Sequence, residues 1–179
     1  MNNFYINRDL EKEMIEAKKY FSVMTITGPR QSGKTTIIKK VFNELPYLSL
    51  EDLDVRAFAI NDPRGFLLQN PQGMILDEVQ NTPQLLSYIQ TIVDENPSCR
   101  YVLSGSAQFS VLRQITQSLA GRTAVFELLP LSISELSNKN KLYDLNKTLY
   151  SGFYPAIYAD RNIPKYLYPS YIKTYIERD

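Results

Sequence analysis

Residues 23–36 read Val23-Met24-Thr25-Ile26-Thr27-Gly28-Pro29-Arg30-Gln31-Ser32-Gly33-Lys34-Thr35-Thr36, an apolar run followed by a tight polar loop and a helix start. The segment from Gly28 to Thr35 fits the spacing G-x-x-x-x-G-K-[ST] of a phosphate-binding loop. Its two glycines lack a Cβ atom, so successive backbone N–H groups can curl around phosphate oxygens, and the positive end of the following helix adds to the attraction. The pattern therefore predicts that residues 28–36 bind the phosphates of a nucleotide.

Two side chains at the end of this loop have specific roles in the pattern. Lys34 supplies a positive charge for the β- and γ-phosphates, and the Thr35 hydroxyl is a hard oxygen ligand for Mg²⁺. Before the loop, residues 23–27 read as a buried strand. After it, apolar residues repeat at helical spacing, at Ile37, Ile38, Val41, Phe42 and Leu45. The order strand, loop, helix is the context that a phosphate-binding loop requires, and it favours this interpretation over a chance glycine turn.

The composition excludes several kinds of chemistry. The 179 residues include 20 basic and 19 acidic side chains, one cysteine and no histidine. The near-zero net charge gives no overall field for binding nucleic acid or an anionic membrane, and the single Cys99 excludes an internal disulfide. Because histidine is absent, a general base has to be a carboxylate, a lysine, a tyrosine or the thiol.

The two ends of the sequence lead to one prediction about localisation and one about truncation. Residues 1–5 lack the basic and then apolar character of a signal peptide, and no apolar run approaches the roughly 18 residues of a membrane span. We therefore expect a cytoplasmic protein. Residues 176–179 continue a helical pattern without a stop signal, which predicts a natural or engineered truncation.

The apolar patterns divide the chain into a core at residues 1–130 and a helical lid or linker region at residues 131–179. An amphipathic helix is expected at 8–21, and a later helical stripe comprises Val111, Leu112, Ile115 and Leu119. Strands that alternate with helices are expected at 23–27, 47–50, 73–78, 100–103 and 123–128. This alternation predicts an α/β fold with a parallel sheet.

An acidic pair ends the third predicted strand. Ile75 and Leu76 are followed directly by Asp77 and Glu78, at the carboxyl end of a buried strand, where ligands bind in open α/β sheets. The segment is a candidate Walker B motif. Asp77 would hold Mg²⁺ through its waters, and Glu78 would orient and deprotonate the attacking water.

Two further residues are candidates for the same site. Ser104 directly follows the fourth predicted strand, where its hydroxyl could bind the γ-phosphate or the attacking water; alternatively, Ser104-Gly105-Ser106 is a turn that caps the next helix. Arg122 precedes the fifth strand, near the nucleotide face. It could stabilise transition-state charge, in its own subunit or in a neighbour, or it could form a structural ion pair.

The region after Pro130 is rich in tyrosine. Tyr168, Tyr171, Ile172, Tyr175 and Ile176 share one helical face, and lysines and Arg161 are interleaved with the aromatic residues. Basic and aromatic residues together could bind nucleic acid by stacking and phosphate contact. The alternative is an amphipathic helical lid whose tyrosines pack on the core or on a missing segment. We favour the lid because the excess of positive charge is small.

Several of these segments together resemble a known family. They are the loop from Gly28 to Thr36, the segment Ile75-Leu76-Asp77-Glu78-Val79-Gln80, the strand end Leu103-Ser104-Gly105-Ser106, and Leu119-Ala120-Gly121-Arg122 followed by Leu129-Pro130-Leu131-Ser132. They are similar to the AAA-type ATPase domain of a widespread prokaryotic family in which a C-terminal domain of unknown function usually follows. The resemblance extends over about residues 10–177 and implies that the family's usual C-terminal domain is missing from this sequence.

The resemblance implies a fold and a reaction. It implies the three-layer sandwich of a P-loop NTPase with a parallel five-stranded sheet in the order 5-1-4-3-2, and binding of ATP with Mg²⁺. It also implies that water activated at Glu78 hydrolyses ATP to ADP and phosphate, and that this drives conformational change in a partner or in the C-terminal domain. The preference for ATP over GTP rests on the resemblance alone.

Three functions remain as hypotheses from the sequence. The first is an ATPase, in which Arg122 could be supplied by a neighbouring copy in a homo-oligomer. The second is a nucleotide-dependent interaction switch with little turnover, and the third is a P-loop phosphotransferase. The catalytic candidates are Glu78, Lys34, Ser104 and Arg122, and the metal candidates are Thr35 and Asp77.

Overall fold

The computed structural model describes residues 5–105, 118–159 and 164–175, with the side chain of Tyr175 excepted. It consists of two compact units: Leu10–Leu128, and Met1–Asp9 together with Leu129–Asp179. The sequence had placed the boundary at residue 130 and the first nine residues in the core. Some predictions concern residues outside the described ranges. They are the helix around Val111 and Ile115 and the roles suggested for Ser106, Arg161 and Ile176.

A five-stranded sheet forms the centre of the larger unit. Its strands are β1 (Val23–Thr27), β2 (Tyr47–Ser49), β3 (Gly73–Asp77), β4 (Arg100–Ser104) and β5 (Thr123–Glu127). All neighbouring strands are parallel, in the order β2-β3-β4-β1-β5. This is the predicted order read from the other edge, so the predicted fold class is confirmed.

Helices cover both faces of this sheet. They are α1 (Leu10–Ala17), α2 (Lys34–Val41), α3 (Leu53–Asn61), α4 (Pro63–Leu68) and α5 (Leu85–Glu95), with a 3-10 turn at Val79–Asn81. Alternate side chains of β3 enter two separate apolar clusters, because successive strand residues point to opposite faces. Met74 and Leu76 pack with residues of α3, α4 and α5, whereas Ile75 packs with residues of α1 and α2. The result is a three-layer α/β core.

Local signals explain where several helices begin and end. Asp62 and Pro63 separate α3 from α4: the Asp62 carboxylate accepts a hydrogen bond from the Gly65 N–H at 2.9 Å, and Pro63 occupies the first turn of α4. The helix predicted from residue 8 begins only at Leu10. Arg8 instead belongs to the smaller unit, where its side chain is buried.

The smaller unit contains four helices among the described residues. They are α6 (Ile133–Ser137), α7 (Leu145–Ser151), α8 (Pro155–Tyr158) and α9 (Pro164–Tyr175). Their apolar cluster includes Ile6 from the N-terminal segment. Ser132 and Glu135 form a capping box at the start of α6. Across the part of the chain that is described, every helix is too short or too polar to cross a bilayer.

The strand register brings three chain segments to one edge of the sheet. Ile26 of β1 is paired with Ser104 of β4, and Leu76 of β3 is paired with Leu103 of β4. The loop that follows β1, the acidic pair that ends β3 and the last residue of β4 therefore meet at the carboxyl edge. In parallel sheets this is the edge at which ligands bind.

Candidate nucleotide-binding site

The loop between β1 and α2 requires glycine at both of its ends. Gly28 has φ 141°, and a Cβ atom there would lie 2.2 Å from the backbone oxygen of Leu128. Gly33 has φ 98° and precedes the first residue of α2. Both conformations are ones that residues with a side chain rarely adopt. Gln31 is also left-handed, with φ 62°, so the tight curl of the loop is held against local strain.

The Lys34 side chain lies along this loop. Its Nζ donates to the carbonyl oxygens of Gly28 at 3.0 Å and Pro29 at 2.9 Å, and the residue is only 7% exposed. Burial lowers the pKa of Lys34, and the carboxylates of Glu78 and Asp77 oppose part of that effect. The ammonium group therefore lies within the loop that it was predicted to serve, and near both acidic candidates.

Asp77 is the hub of the site. Its Oδ2 accepts from the Thr35 hydroxyl at 2.8 Å and from the Tyr47 hydroxyl at 2.7 Å, and its Oδ1 accepts from the Ser104 hydroxyl and from the Glu78 N–H at 3.2 Å. Burial raises the pKa of Asp77, but the hydrogen bonds from Ser104, Tyr47 and Thr35 outweigh it, so the net pKa is lowered. The carboxylate is thus held in its charged form.

The donor set fits Mg²⁺. The Thr35 hydroxyl and the Asp77 carboxylate are hard oxygen donors and lie in direct contact. Mg²⁺ is usually held by one or two such groups, with phosphate oxygens and water completing its octahedron. Among the described residues, no group of three or more acidic or cysteine side chains forms a separate metal site. The acidic cluster after β2 has another role, since the Asp52 carboxylate caps α3.

Tyr47 is a member of the site that sequence reasoning missed. It begins β2 and reaches Asp77 diagonally from the neighbouring strand, where Ser49 is the residue paired with Asp77. Burial and the Asp77 carboxylate raise the pKa of Tyr47, so its hydroxyl stays a donor. The Lys39 ammonium lies 3.5 Å from the centre of the Tyr47 ring. Only the strand register, which the sequence does not give, could have indicated this residue.

Tyr47→Phe tests how much this hydroxyl stabilises the site. The change keeps the ring and removes one hydrogen bond to a charged group, so we expect the free energy of unfolding to fall by about 1–2 kcal/mol. Urea unfolding followed by circular dichroism measures it. Tyr88→Phe, on the exposed side of α5, is the matched control and should change stability by less than about 0.5 kcal/mol. Equal effects of the two changes would contradict the role given to Tyr47.

Ser104 and Glu78 lie at the same edge. Ser104 is fully buried, and its hydroxyl points to Asp77. Glu78 has a left-handed backbone with φ 57° and ψ 48°, and its Oε2 accepts a hydrogen bond from the amide of Gln80. Lys34, Thr35, Asp77, Glu78 and Ser104 are therefore brought together as the sequence predicted, although their chemical roles stay predictions.

Arg122 does not join them, and the expectation that it lies near the nucleotide face is wrong. It precedes β5, and its backbone oxygen accepts a hydrogen bond from Val23 at the start of β1, so it lies at the amino edge of the sheet. Five strand residues separate that edge from the loop, or about 16 Å. Its guanidinium is paired with Asp94 through two contacts, of 2.6 and 2.8 Å. Of the alternatives considered, an ion pair is the one observed.

Comparisons with known proteins agree with this fold. The family described as AAA domain matches residues 20–137. Two uncharacterised proteins, from Mycobacterium bovis and Mycobacterium tuberculosis, are each 30% identical over 177 residues, which is 96% of this chain and 39% of theirs. An uncharacterised protein of Methanocaldococcus jannaschii is 25% identical, over 97% of this chain and 44% of its own length. The chain thus spans less than half of the curated relatives it matches.

Two solved structures share the fold at low sequence identity. A Walker-type ATPase of Pyrococcus abyssi superposes with a TM-score of 0.61 at 14% identity, over 99% of this chain and 72% of that one. A STAND protein of Pyrococcus horikoshii, a signal-transduction ATPase, gives 0.58 at 10% identity, over 96% and 32%. From the family match, the sheet order and the loop geometry together, the chain belongs to the AAA domain family and has the fold of the P-loop ATPases.

Proposed function

We propose that this chain binds MgATP and hydrolyses it to ADP and phosphate. The observation that carries the proposal is the cluster around Asp77, in which hydroxyls from the phosphate-binding loop and from β4 converge on one buried carboxylate. Beside this cluster lie one buried lysine, Lys34, and one further carboxylate, Glu78. These are the groups that phosphoryl transfer to water needs: a cation for the phosphates, oxygen ligands for a metal and a base.

Each residue has a step in the proposed reaction. The Lys34 ammonium exchanges the carbonyls of Gly28 and Pro29 for β- and γ-phosphate oxygens when ATP enters. Thr35 and Asp77 would hold Mg²⁺, which neutralises charge on the phosphates. Glu78 accepts a proton from water as the water oxygen bonds to the γ-phosphorus and the bond to the ADP oxygen breaks. The Ser104 hydroxyl keeps Asp77 in place.

Lys34→Ala provides the first test. The substitution removes the positive charge that Lys34 would place on the phosphate oxygens. Hydrolysis should therefore fall to the level of protein-free buffer, while the sheet stays intact. The measurement is the steady-state rate of MgATP hydrolysis per subunit over a wide range of protein concentration. Lys40→Ala on the exposed side of α2 is the control and should retain the rate. A wild-type rate no higher than that of Lys34→Ala would contradict the proposal.

The same concentration series tests a role for Arg122 in a neighbouring copy. If a homo-oligomer shares its sites, the rate per subunit rises with concentration, and Arg122→Ala abolishes that rise, because transition-state arginines contribute roughly 10³- to 10⁵-fold. The substitution also releases Asp94, so Asp94→Ala is the control for loss of the ion pair alone. If the rate per subunit does not change with protein concentration, each site is complete within one chain and Arg122 has no role in a neighbouring copy.

A nucleotide-dependent interaction switch is the second candidate function. It is favoured by the exposed apolar residues of α7, where Leu145, Leu149 and Tyr150 are 73%, 69% and 62% exposed. Several exposed apolar side chains on one helix are typical of protein contact surfaces. The partner would be a further domain of a longer protein or a separate protein, and ATP hydrolysis would reset the contact.

The third hypothesis, a P-loop phosphotransferase, makes a different prediction. Adding a phosphate acceptor should then raise ADP production above the rate measured with water alone.

A further inference from the structure

We propose that Gln80 is a positioning residue that aims the carboxylate of Glu78 at the attacking water; this rests on the proposed hydrolysis. Gln80 lies in the 3-10 turn that follows the acidic pair, and its side-chain Nε2 donates to Glu78 Oε2. The bond engages one carboxylate oxygen and leaves Oε1 to accept the proton of a water. Because an amide is neutral, it orients the carboxylate without pairing a full positive charge with it.

The backbone of Glu78 shows that its direction is imposed. A left-handed conformation at a residue with a side chain costs about 1 kcal/mol or more, and it persists only where the surroundings hold it. Three contacts do so here. The Glu78 N–H donates to Asp77 Oδ1 at 3.2 Å, the Glu78 carbonyl accepts from the Asn81 N–H at 3.0 Å, and the Asn81 side chain reaches the Leu50 carbonyl at 3.3 Å. The turn that carries Gln80 is thereby fixed to the end of β2.

The other side of the Gln80 amide lies against the end of β4. A Cβ atom at Gly105 would be 2.4 Å from Gln80 Oε1, so a side chain at residue 105 would push the amide out of its present position. Gly105 directly follows Ser104, whose hydroxyl contacts Asp77, and its N–H donates to the Ile26 carbonyl at 3.3 Å. One amide thus lies between the carboxylate of Glu78, to which it donates, and the strand end that contacts Asp77.

The geometry assigns a distinct expectation to each substitution. Gln80→Glu keeps the shape, removes the donor and sets a second carboxylate beside Glu78. We expect kcat to fall roughly 10- to 100-fold, which is the effect of misaiming a reacting group by about 1 Å, with KM unchanged. Gln84→Glu makes the same change at an exposed position before α5 and should leave kcat and KM as in the wild type.

Gly105→Ala tests the contact from the opposite side. In the wild-type background the new methyl group displaces the Gln80 amide, so kcat should fall in the same way as in Gln80→Glu. In a Gln80→Ala background the space is open, and the added methyl group should change kcat by less than about twofold. Such non-additivity is the signature of two residues that act through one contact. Independent, multiplicative effects would overturn the proposal.

A binding measurement separates this inference from the proposed hydrolysis. MgADP with aluminium fluoride mimics the γ-phosphoryl group with its in-line water, whereas MgADP alone lacks that water. Gln80→Glu should weaken binding of the mimic roughly 10- to 100-fold and leave MgADP binding unchanged. If the wild type hydrolyses no faster than Lys34→Ala, the hydrolysis proposal fails, yet this difference still supports the positioning role. Wild-type affinity of Gln80→Glu for both ligands would overturn it.

Discussion

Glu78→Gln is expected to lower kcat for MgATP hydrolysis roughly 10²- to 10⁴-fold while MgATP still binds. The substitution removes the group proposed to accept the proton of water, and a positioned general base contributes about that factor. Binding should persist because Lys34, Thr35 and Asp77 are untouched. A glutamine at residue 78 also retains an oxygen that can accept from the Gln80 amide, so the local geometry is kept. Steady-state hydrolysis and titration with a fluorescent ATP analogue measure the two quantities.

The matched control for this change is Glu95→Gln. Glu95 is an exposed carboxylate at the last residue of α5, so losing its charge should leave kcat within about twofold of the wild type. If kcat of Glu78→Gln is less than tenfold below that of the wild type, Glu78 does not act as the general base. A fall accompanied by equally weakened ATP binding would instead assign Glu78 to binding the nucleotide.

The same variant separates the two candidate functions. In an enzyme that drives work, stopping turnover abolishes the cellular function. In an interaction switch, the variant bound to MgATP stays in its partner-bound form, because only hydrolysis resets the contact. The populations of free and partner-bound variant, compared in MgATP and in MgADP, therefore report which function applies.

The core of the fold could be predicted from the sequence because its signals are local. The glycines of the loop, the proline after Asp62 and the buried apolar runs each determine the backbone near themselves. The meeting of Asp77, Ser104 and the loop was also predictable, since all three follow parallel strands and such strand ends share one edge. The family resemblance added the strand order, which no local signal contains.

The site residues that the sequence misplaced or did not indicate make contacts that depend on strand register, strand direction or backbone conformation. Arg122 was expected near the nucleotide, but it precedes its strand and therefore lies at the opposite edge. Tyr47 was missed because its hydroxyl crosses to a residue two positions further along the neighbouring strand. Gln80 ends the segment Ile75-Leu76-Asp77-Glu78-Val79-Gln80 that resembles the family, yet its contact with Glu78 depends on a left-handed backbone that the sequence does not indicate.

The ion pair between Arg8 and Glu135 was also beyond prediction, because 127 positions separate its members. Glu135 Oε1 accepts from Arg8 Nε at 3.0 Å and from the Asp9 N–H at 2.8 Å, and Oε2 accepts from the Ser132 N–H at 2.8 Å. Arg8 in turn donates to the Leu129 carbonyl at 2.6 Å. Both charged side chains are nearly inaccessible, at 6% and 5%. This network joins the N-terminal segment to the start of α6 within the smaller unit.

Glu135→Ala should destabilise the smaller unit by about 3–5 kcal/mol, because it leaves the Arg8 guanidinium buried without its carboxylate. It also removes the partner of two backbone N–H groups. Urea unfolding followed by tyrosine fluorescence measures the loss, since the chain has 13 tyrosines and no tryptophan and most of the tyrosines follow residue 140. Glu44→Ala, which breaks the exposed pair with Lys18, is the control and should cost less than about 1 kcal/mol.

A double substitution distinguishes the energy of the pair from the cost of orphaning one charge. Replacing Arg8 by Met and Glu135 by Leu removes both charges and fills a similar volume, and such exchanges are often neutral or stabilising. We therefore expect the double variant to recover at least half of the stability lost in Glu135→Ala. The two backbone N–H groups of Asp9 and Ser132 stay without the carboxylate, so recovery should be incomplete. A double variant as unstable as Glu135→Ala would mean that the capping of these N–H groups, rather than the buried charge, holds the N-terminal segment in place.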